Sequence, residues 1–233
     1  MLLKILRIFQ FINYSFSYLI NSFNEKKFLK SFFKGKKIKY YFDIGANNGF
    51  NISLYARYLK IEKIYAFEPS ISAFNYLVKK FKNFKNIYFL NIAISNKVDS
   101  KIFYDYKINS QSTLNLVEGD QILSDLRDKY YIQTETLDNF CKSNGITNID
   151  FVKIDAQGED YNILHGMKNL LIKKKIDLIK IEISVNKNKS IEQDDVYKII
   201  NLMHKYEYRL ISISDIKYQY DQTILFMDAY FAF

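Results

Sequence analysis

The chemistry of this chain centres on carboxylates set beside glycines. Asp43-Ile44-Gly45-Ala46-Asn47-Asn48-Gly49 follows one apolar run and precedes a helical one. Glycines in such a turn permit positive φ and let a ligand approach the backbone. The helix start behind them offers unpaired N–H groups that hold a carboxylate. Asp43 is placed to accept from an ammonium group. A ligand with an amine and a carboxylate at one end, such as the methionine half of S-adenosylmethionine, matches both features. Glu68 ends the next apolar run, 19 residues after Gly49. An acid at that position can accept from both hydroxyls of a ribose. A nicotinamide dinucleotide site predicts G-x-G-x-x-G, and the glycine spacing here is different. Asn47 tolerates left-handed geometry, so the turn survives without a third glycine. The bland alternative is an ordinary strand-to-helix turn with a capping aspartate, which leaves Glu68 unexplained.

A second constellation lies at Lys153, Asp155, Gln157 and Glu159, with Glu182 further on. In an open α/β sheet the ligand lies over the carboxyl ends of the strands, where these residues fall. In-line transfer of a group from a bound ligand to a hydroxyl would need an aligned oxygen and a proton acceptor. Asp155 and Glu159 are the candidate bases, and Lys153 and Glu182 candidate substrate contacts. A divalent ion shared by Asp155, Glu159 and Glu182 is a further expectation, since hard cations favour oxygen ligands. Each has a structural alternative. Glu159 can stabilise the start of its own helix, and Lys153, alternating with apolar residues, can snorkel. His165 reads as a packing residue, His204 as part of a helix C-terminal turn and Cys141 as core. A single cysteine excludes an internal disulfide and a cysteine-based zinc site.

These residues need a doubly wound α/β scaffold. Strands are expected at 39–46, 63–68, 86–95, 149–155 and 176–184, with helices at 51–60, 71–82, 159–173 and 191–206 between them. Such alternation implies parallel strands with right-handed crossovers. Ser70 and Thr136 are helix caps, and Ser190 with Gln193 a capping box. Strands at 208–214 and 222–231, with no helix between, predict an antiparallel hairpin at the sheet edge. An insertion over about 96–135 interrupts the alternation. Its short strands flank a polar stretch in which Ser110 and Ser112 are expected to help read a substrate.

Five segments, in order, resemble the FkbM-type methyltransferases: YFDIGANNG at 41–49, YAFEPS at 65–70, TETLDNF at 134–140, FVKIDAQGED at 151–160 and LIKIEIS at 178–184. The resemblance covers about residues 40–184. It implies a seven-stranded Rossmann-like fold, S-adenosylmethionine as methyl donor, and O-methylation, often of a sugar hydroxyl. By carry-over, Asp43, Gly45, Ala46, Asn47, Gly49, Glu68 and Pro69 become cofactor contacts, and Ala93 and Ile94 lie near the adenine. Two positions depart from the family pattern. Ala156-Gln157 stands where an aliphatic residue and Glu are usual, and Met167 where a small residue is usual. The missing acid at 157 weakens a three-carboxylate metal site.

Composition bounds the rest. The chain has 233 residues, 48% of them hydrophobic, and a net charge of +9. That charge is lopsided. Residues 1–39 carry nine basic groups and one acid, whereas the remainder carries 25 basic and 24 acidic. A near-neutral body argues against a nucleic-acid groove. Residues 1–38 form a separate leading segment before the 39–233 domain. Residues 1–23 read as an apolar-faced helix, too interrupted for a membrane span, and Lys26–Lys39 as a basic cluster suited to an anionic membrane surface. The alternative is packing on the core or on a second subunit of a homo-oligomer. The expectation is a cytoplasmic, peripherally membrane-associated O-methyltransferase acting on a saccharide or lipid-linked glycan. The rivals are an RNA or protein methyltransferase on the same fold and a non-catalytic scaffold.

Overall fold

A computed structural model describes residues 24–107, 112–114, 125–184, 196–218 and 224–233. Residues 1–23, Ser110 and the Ser190–Gln193 capping box lie outside it. A helix, α1, occupies 24–33. The order continues β1 (Ile38–Ile44), α2 (Phe50–Tyr55), β2 (Ile61–Phe67), α3 (Ile71–Lys80), β3 (Ile87–Leu90), β4 (Ala93–Ile94), β5 (Asp99–Tyr106), β6 (Leu126–Glu135), α4 (Leu137–Ser143) and β7 (Ile149–Ile154). It closes with α5 (Asp160–Gly166), α6 (Lys168–Ile172), β8 (Ile176–Ser184), α7 (Val196–Lys205), β9 (Arg209–Tyr218) and β10 (Ile224–Ala232).

The main sheet has seven strands in the order β3-β2-β1-β7-β8-β10-β9. The first five are mutually parallel, and β10 pairs antiparallel with both β8 and β9. The expected hairpin is therefore at the edge, with its second strand turned inward. The central strands are apolar on both faces because helices cover both. Tyr41, Phe151, Leu178 and Tyr230 face a core shared with Leu29 and Phe33 of α1, Ile52 and Tyr55 of α2, and Leu77 of α3. Phe42, Val152, Ile179 and Phe231 face the opposite core, shared with α4, α5, α6 and α7. Alternation at period two divides the two layers.

Local chemistry sets the element ends. The Ser70 hydroxyl caps α3 by accepting from Ala73 N–H, and Thr136 caps α4 by accepting from Asn139 N–H. Three expected elements differ. The strand expected over 86–95 breaks into β3 and β4. Asn91 turns its amide onto the Glu68 and Pro69 carbonyls, and β4 leaves for a second sheet of order β4-β6-β5. The helix expected over 159–173 divides at Met167, because Gly166 closes on the Ser95 carbonyl oxygen, which a Cβ would meet at 2.0 Å. Residues 24–38, expected in a separate leading segment, pack on the sheet: Leu29 is fully buried, Phe33 nearly so, and Ile38 begins β1. Cys141 is buried in the core, as expected.

Candidate active site

At the carboxyl ends of β1, β2 and β7 the backbone is drawn tightly together. Gly45 has φ +74°, and a Cβ there would fall 1.9 Å from the Asp155 carbonyl oxygen, so β1 and β7 converge only without a side chain. Asn47 takes the left-handed conformation, with φ 46°. That turns its N–H onto Glu68 Oε2 at 2.6 Å, while Ser70 N–H donates to Oε1 at 2.8 Å. Burial pushes the Glu68 carboxyl up to about 7, against these two bonds, which favour its charge.

A cleft opens above these groups, concave and partly apolar as small-molecule sites are. Gly45, Asn47, Glu68 and Pro69 form one end. Ile92, Ala93, Ile94, Phe103 and Leu114 form an apolar slot. Ser112, Asp155, Gln157 and Glu159 add polar groups to the lining. A nucleoside bearing an amino-acid tail fits this donor set. The Glu68 carboxylate keeps acceptor capacity beyond its two N–H partners, the slot takes a flat ring, and Gly45 admits close backbone approach.

Not every expected contact reaches the cleft. Ala46 packs in the core shared with α1, α2 and α3. Gly49 has φ +69°, and its Cβ would meet the Phe81 ring at 2.4 Å, so packing of α3 explains this glycine. Asp43 is fully buried behind the turn, outside the cleft lining. It instead ion-pairs with Lys153 Nζ at 3.4 Å. Burial raises the Asp43 carboxyl, with Lys153 opposing. Its expected role, holding the ligand's ammonium, gives way to holding Lys153.

Lys153 does not snorkel. It is 3% exposed, and its three donors go to Asp43, to Asp155 Oδ2 at 3.1 Å and to the Gly45 carbonyl at 3.0 Å. Burial would lower its pKa, but the two carboxylates outweigh burial and raise it. Burial would raise Asp155, and Lys153 with the Gln157 amide holds it below the ordinary carboxylate range. Glu159 is almost completely buried and accepts from Ser95 Oγ at 2.8 Å and Asn162 Nδ2 at 3.2 Å. Lys101 Nζ lies 3.8 Å away. Its side chain makes no cap bond to its own helix. Glu159 therefore ties α5 to the end of β4 while also lining the cleft. His165 is exposed and edge-on to Tyr161, away from the cleft lining. His204 is exposed in the last turn of α7.

The expected three-carboxylate metal site is not formed. Gln157 Nε2 stands between Asp155 Oδ1, at 2.9 Å, and Glu182 Oε2, at 3.4 Å, while Glu159 turns to Ser95. Among the described residues no cluster of three or more metal-ligating side chains exists.

Sequence reasoning placed Gln157 at the rim without a role of its own and passed over Thr113 and Lys180. Gln157 holds φ 46°, and its carbonyl accepts from Thr113 Oγ1 at 2.7 Å, which pins the insertion to the cleft wall. Lys180 pairs in register with Lys153 across β7 and β8. The repeated triplet, Lys-Ile-Asp at 153–155 and Lys-Ile-Glu at 180–182, was the available signal.

The strand order and the cleft over the carboxyl ends define a class I methyltransferase fold. Solved structures share it. The FkbM methyltransferase from Methylobacillus flagellatus KT superposes with a TM-score of 0.50 at 15% identity, over 84% of this chain and 43% of that one. The METTL16 methyltransferase domain superposes with a TM-score of 0.52 at 11% identity, over 91% of this chain and 67% of that one. The chain thus spans less than half the length of the Methylobacillus protein. No curated protein matches it. The sequence profile described as "Methyltransferase FkbM domain" matches residues 43–210, and the chain belongs to that family.

Proposed function

We propose that the protein is an S-adenosylmethionine-dependent O-methyltransferase that acts on a sugar hydroxyl of a glycan, glycolipid or surface-polysaccharide intermediate. The observation that carries this reading is the cleft. Glu68 lies at one end with acceptor capacity for two ribose hydroxyls, and the Ile92–Ile94 slot lies beside it. S-adenosylmethionine supplies an electrophilic methyl group on a sulfonium. The protein's own part is positional. Gly45 and Asn47 offer backbone to the amino-acid tail, and the apolar slot holds the ring. Asp155, fixed by Lys153 and Gln157, stands at the cleft rim where an acceptor oxygen must be aligned.

The balanced charge of residues 40–233 favours a neutral acceptor over a nucleic acid. Lys26, Lys27, Lys30, Lys34 and Lys36 are exposed on or just after α1, and in this reading they hold the protein on an anionic membrane beside a lipid-linked acceptor.

Calorimetric titration of S-adenosylmethionine into wild type and Glu68→Ala tests the cofactor. Saturable binding is expected in wild type and at least tenfold weaker binding in the variant. A folded wild type that does not bind overturns the proposal. Transfer of labelled methyl to a protein or RNA pool, with none to glycans, would replace the acceptor class.

A further inference from the structure

A second pocket lies behind the cofactor cleft, on the α1 face of the sheet. The two share Asp155 as a common wall. Phe50 and Leu54 of α2 form its apolar side, and Lys153, Lys180, Glu182 and Asp228 its polar side. It is therefore open to chemistry at the same strand ends as the cleft.

Both lysines are internally committed. An ammonium has three donors. Those of Lys153 are taken by Asp43, Asp155 and the Gly45 carbonyl. Those of Lys180 are taken by Glu25 at 2.9 Å, Asp228 at 2.8 Å and Tyr55 Oη at 3.1 Å. Both cations are enclosed by these acceptors. Apart from Asn51 and Ser214 the remaining polar wall is carboxylate, so the pocket favours a ligand that brings hydrogen-bond donors.

The two acids nearest the shared wall are in opposite states. Asp155 is clamped by Lys153 and Gln157. Glu182 receives, among the described residues, one long hydrogen bond from Gln157 at 3.4 Å. Burial pushes the Glu182 carboxyl up to about 8, with Asp155 just past β7 and Asp228 of β10 adding to the rise and Lys153 and Lys180 opposing it. Pairs of acids pushed apart in this way mark the division between a fixed charge and a proton acceptor.

We propose that this second pocket is the acceptor subsite, that it takes a hydroxyl- or ammonium-bearing group and rejects an anionic one, and that Glu182 takes the proton of the acceptor hydroxyl. The proposal rests on the S-adenosylmethionine reading above. The acceptor oxygen forms its bond to the methyl carbon as the carbon–sulfur bond breaks. The sulfur keeps that electron pair and loses its positive charge. The hydroxyl proton moves to Glu182 and then to water.

The test uses the full chain with ¹³C-labelled glutamate carboxyls, the Glu182 resonance being assigned by its loss in Glu182→Gln. Titration from pH 5 to 9 should give Glu182 a midpoint far above that of an ordinary glutamate. Methyl glucoside or glucosamine should move this resonance, glucosamine also lowering the midpoint, and glucuronate should leave it unmoved. Glu182→Gln should keep S-adenosylmethionine affinity. It should also lose about 10²-fold or more in methyl transfer to the responsive sugar, together with the rise of rate with pH toward 8. An ordinary midpoint, an equal response to glucuronate, silence toward all three sugars, or an unchanged rate in Glu182→Gln overturns the proposal. If the sugars move Glu182 while wild type fails to bind S-adenosylmethionine, the pocket stands and the cofactor reading is what fails.

Discussion

Replacing Lys153 by methionine should show what the buried ladder is worth. The side chain keeps its length and loses its charge, so packing changes little while Asp43 and Asp155 lose their common partner. At 3.4 and 3.1 Å, each contact carries ~5 kcal/mol of Coulomb attraction for an effective dielectric of about 20. Desolvation of the ammonium offsets much of that, and breaking one side of a buried pair typically costs about 3–5 kcal/mol. The Asp155 side chain is 31% exposed and can draw on solvent, so the lower half of that range is expected, about 3–4 kcal/mol, from urea unfolding at pH 7. The loss should depend on pH. Without Lys153 both carboxyls sit above their unfolded pKa values, so the folded state holds more protons than the unfolded one. Stability then falls as pH rises. The deficit should be smallest near pH 5 and largest near pH 8, and adding Asp43→Asn should recover part of it. A deficit below about 1 kcal/mol, or one that is flat from pH 5 to 8, would refute the reasoning.

Two further outcomes follow from the same charges. Ribose hydroxyls donate to an ionised Glu68, whose carboxyl lies near 7 in the free protein. Affinity for S-adenosylmethionine should therefore rise about tenfold between pH 6 and pH 8, and calorimetry on Glu68→Gln should show no such rise. Neutralising Lys26, Lys27, Lys30 and Lys34 to glutamine should weaken co-sedimentation with phosphatidylserine vesicles by at least about tenfold, each lysine near an anionic surface being worth ~1 kcal/mol. Unchanged binding would remove the membrane from the proposal.

The sequence displays what lies within one element and hides what lies between elements. Strand and helix order, the caps at Ser70 and Thr136 and the edge hairpin are local patterns and are legible. So are Gly45 and Glu68, because a turn and a strand end are local as well. The break between β3 and β4 depends on Asn91 reaching back to the Glu68 and Pro69 carbonyls, and no period in the sequence encodes that contact. Gly49 reads as a ligand contact for the same reason. Its need arises from Phe81, 32 residues later, and a glycine that admits a neighbouring ring looks the same in sequence as one that admits a phosphate or a carboxylate.

The ladder across the sheet shows how much turns on register. Asp43, Lys153, Lys180 and Tyr230 are register partners on β1, β7, β8 and β10. Two lysines directly opposite each other repel, so this pair is tolerable only if carboxylates flank it. Asp43 and Asp155 supply one side and Asp228 the other, and Glu25 of α1 completes the shell around Lys180. Tyr55 and Tyr230 each donate to Glu25 Oε1 at 2.6 Å, and the resulting shell holds the Glu25 carboxyl low against its own burial. Residues 24–38 are thus part of the charge balance beneath the second pocket, although composition alone sets them apart as a basic leader. Removing residues 1–38 to examine membrane binding would also take Glu25 from Lys180 and expose the core that Leu29 and Phe33 cover. Any lost binding would then report a damaged domain, whereas substitution of the exposed lysines leaves the Glu25 shell intact and isolates the surface charge.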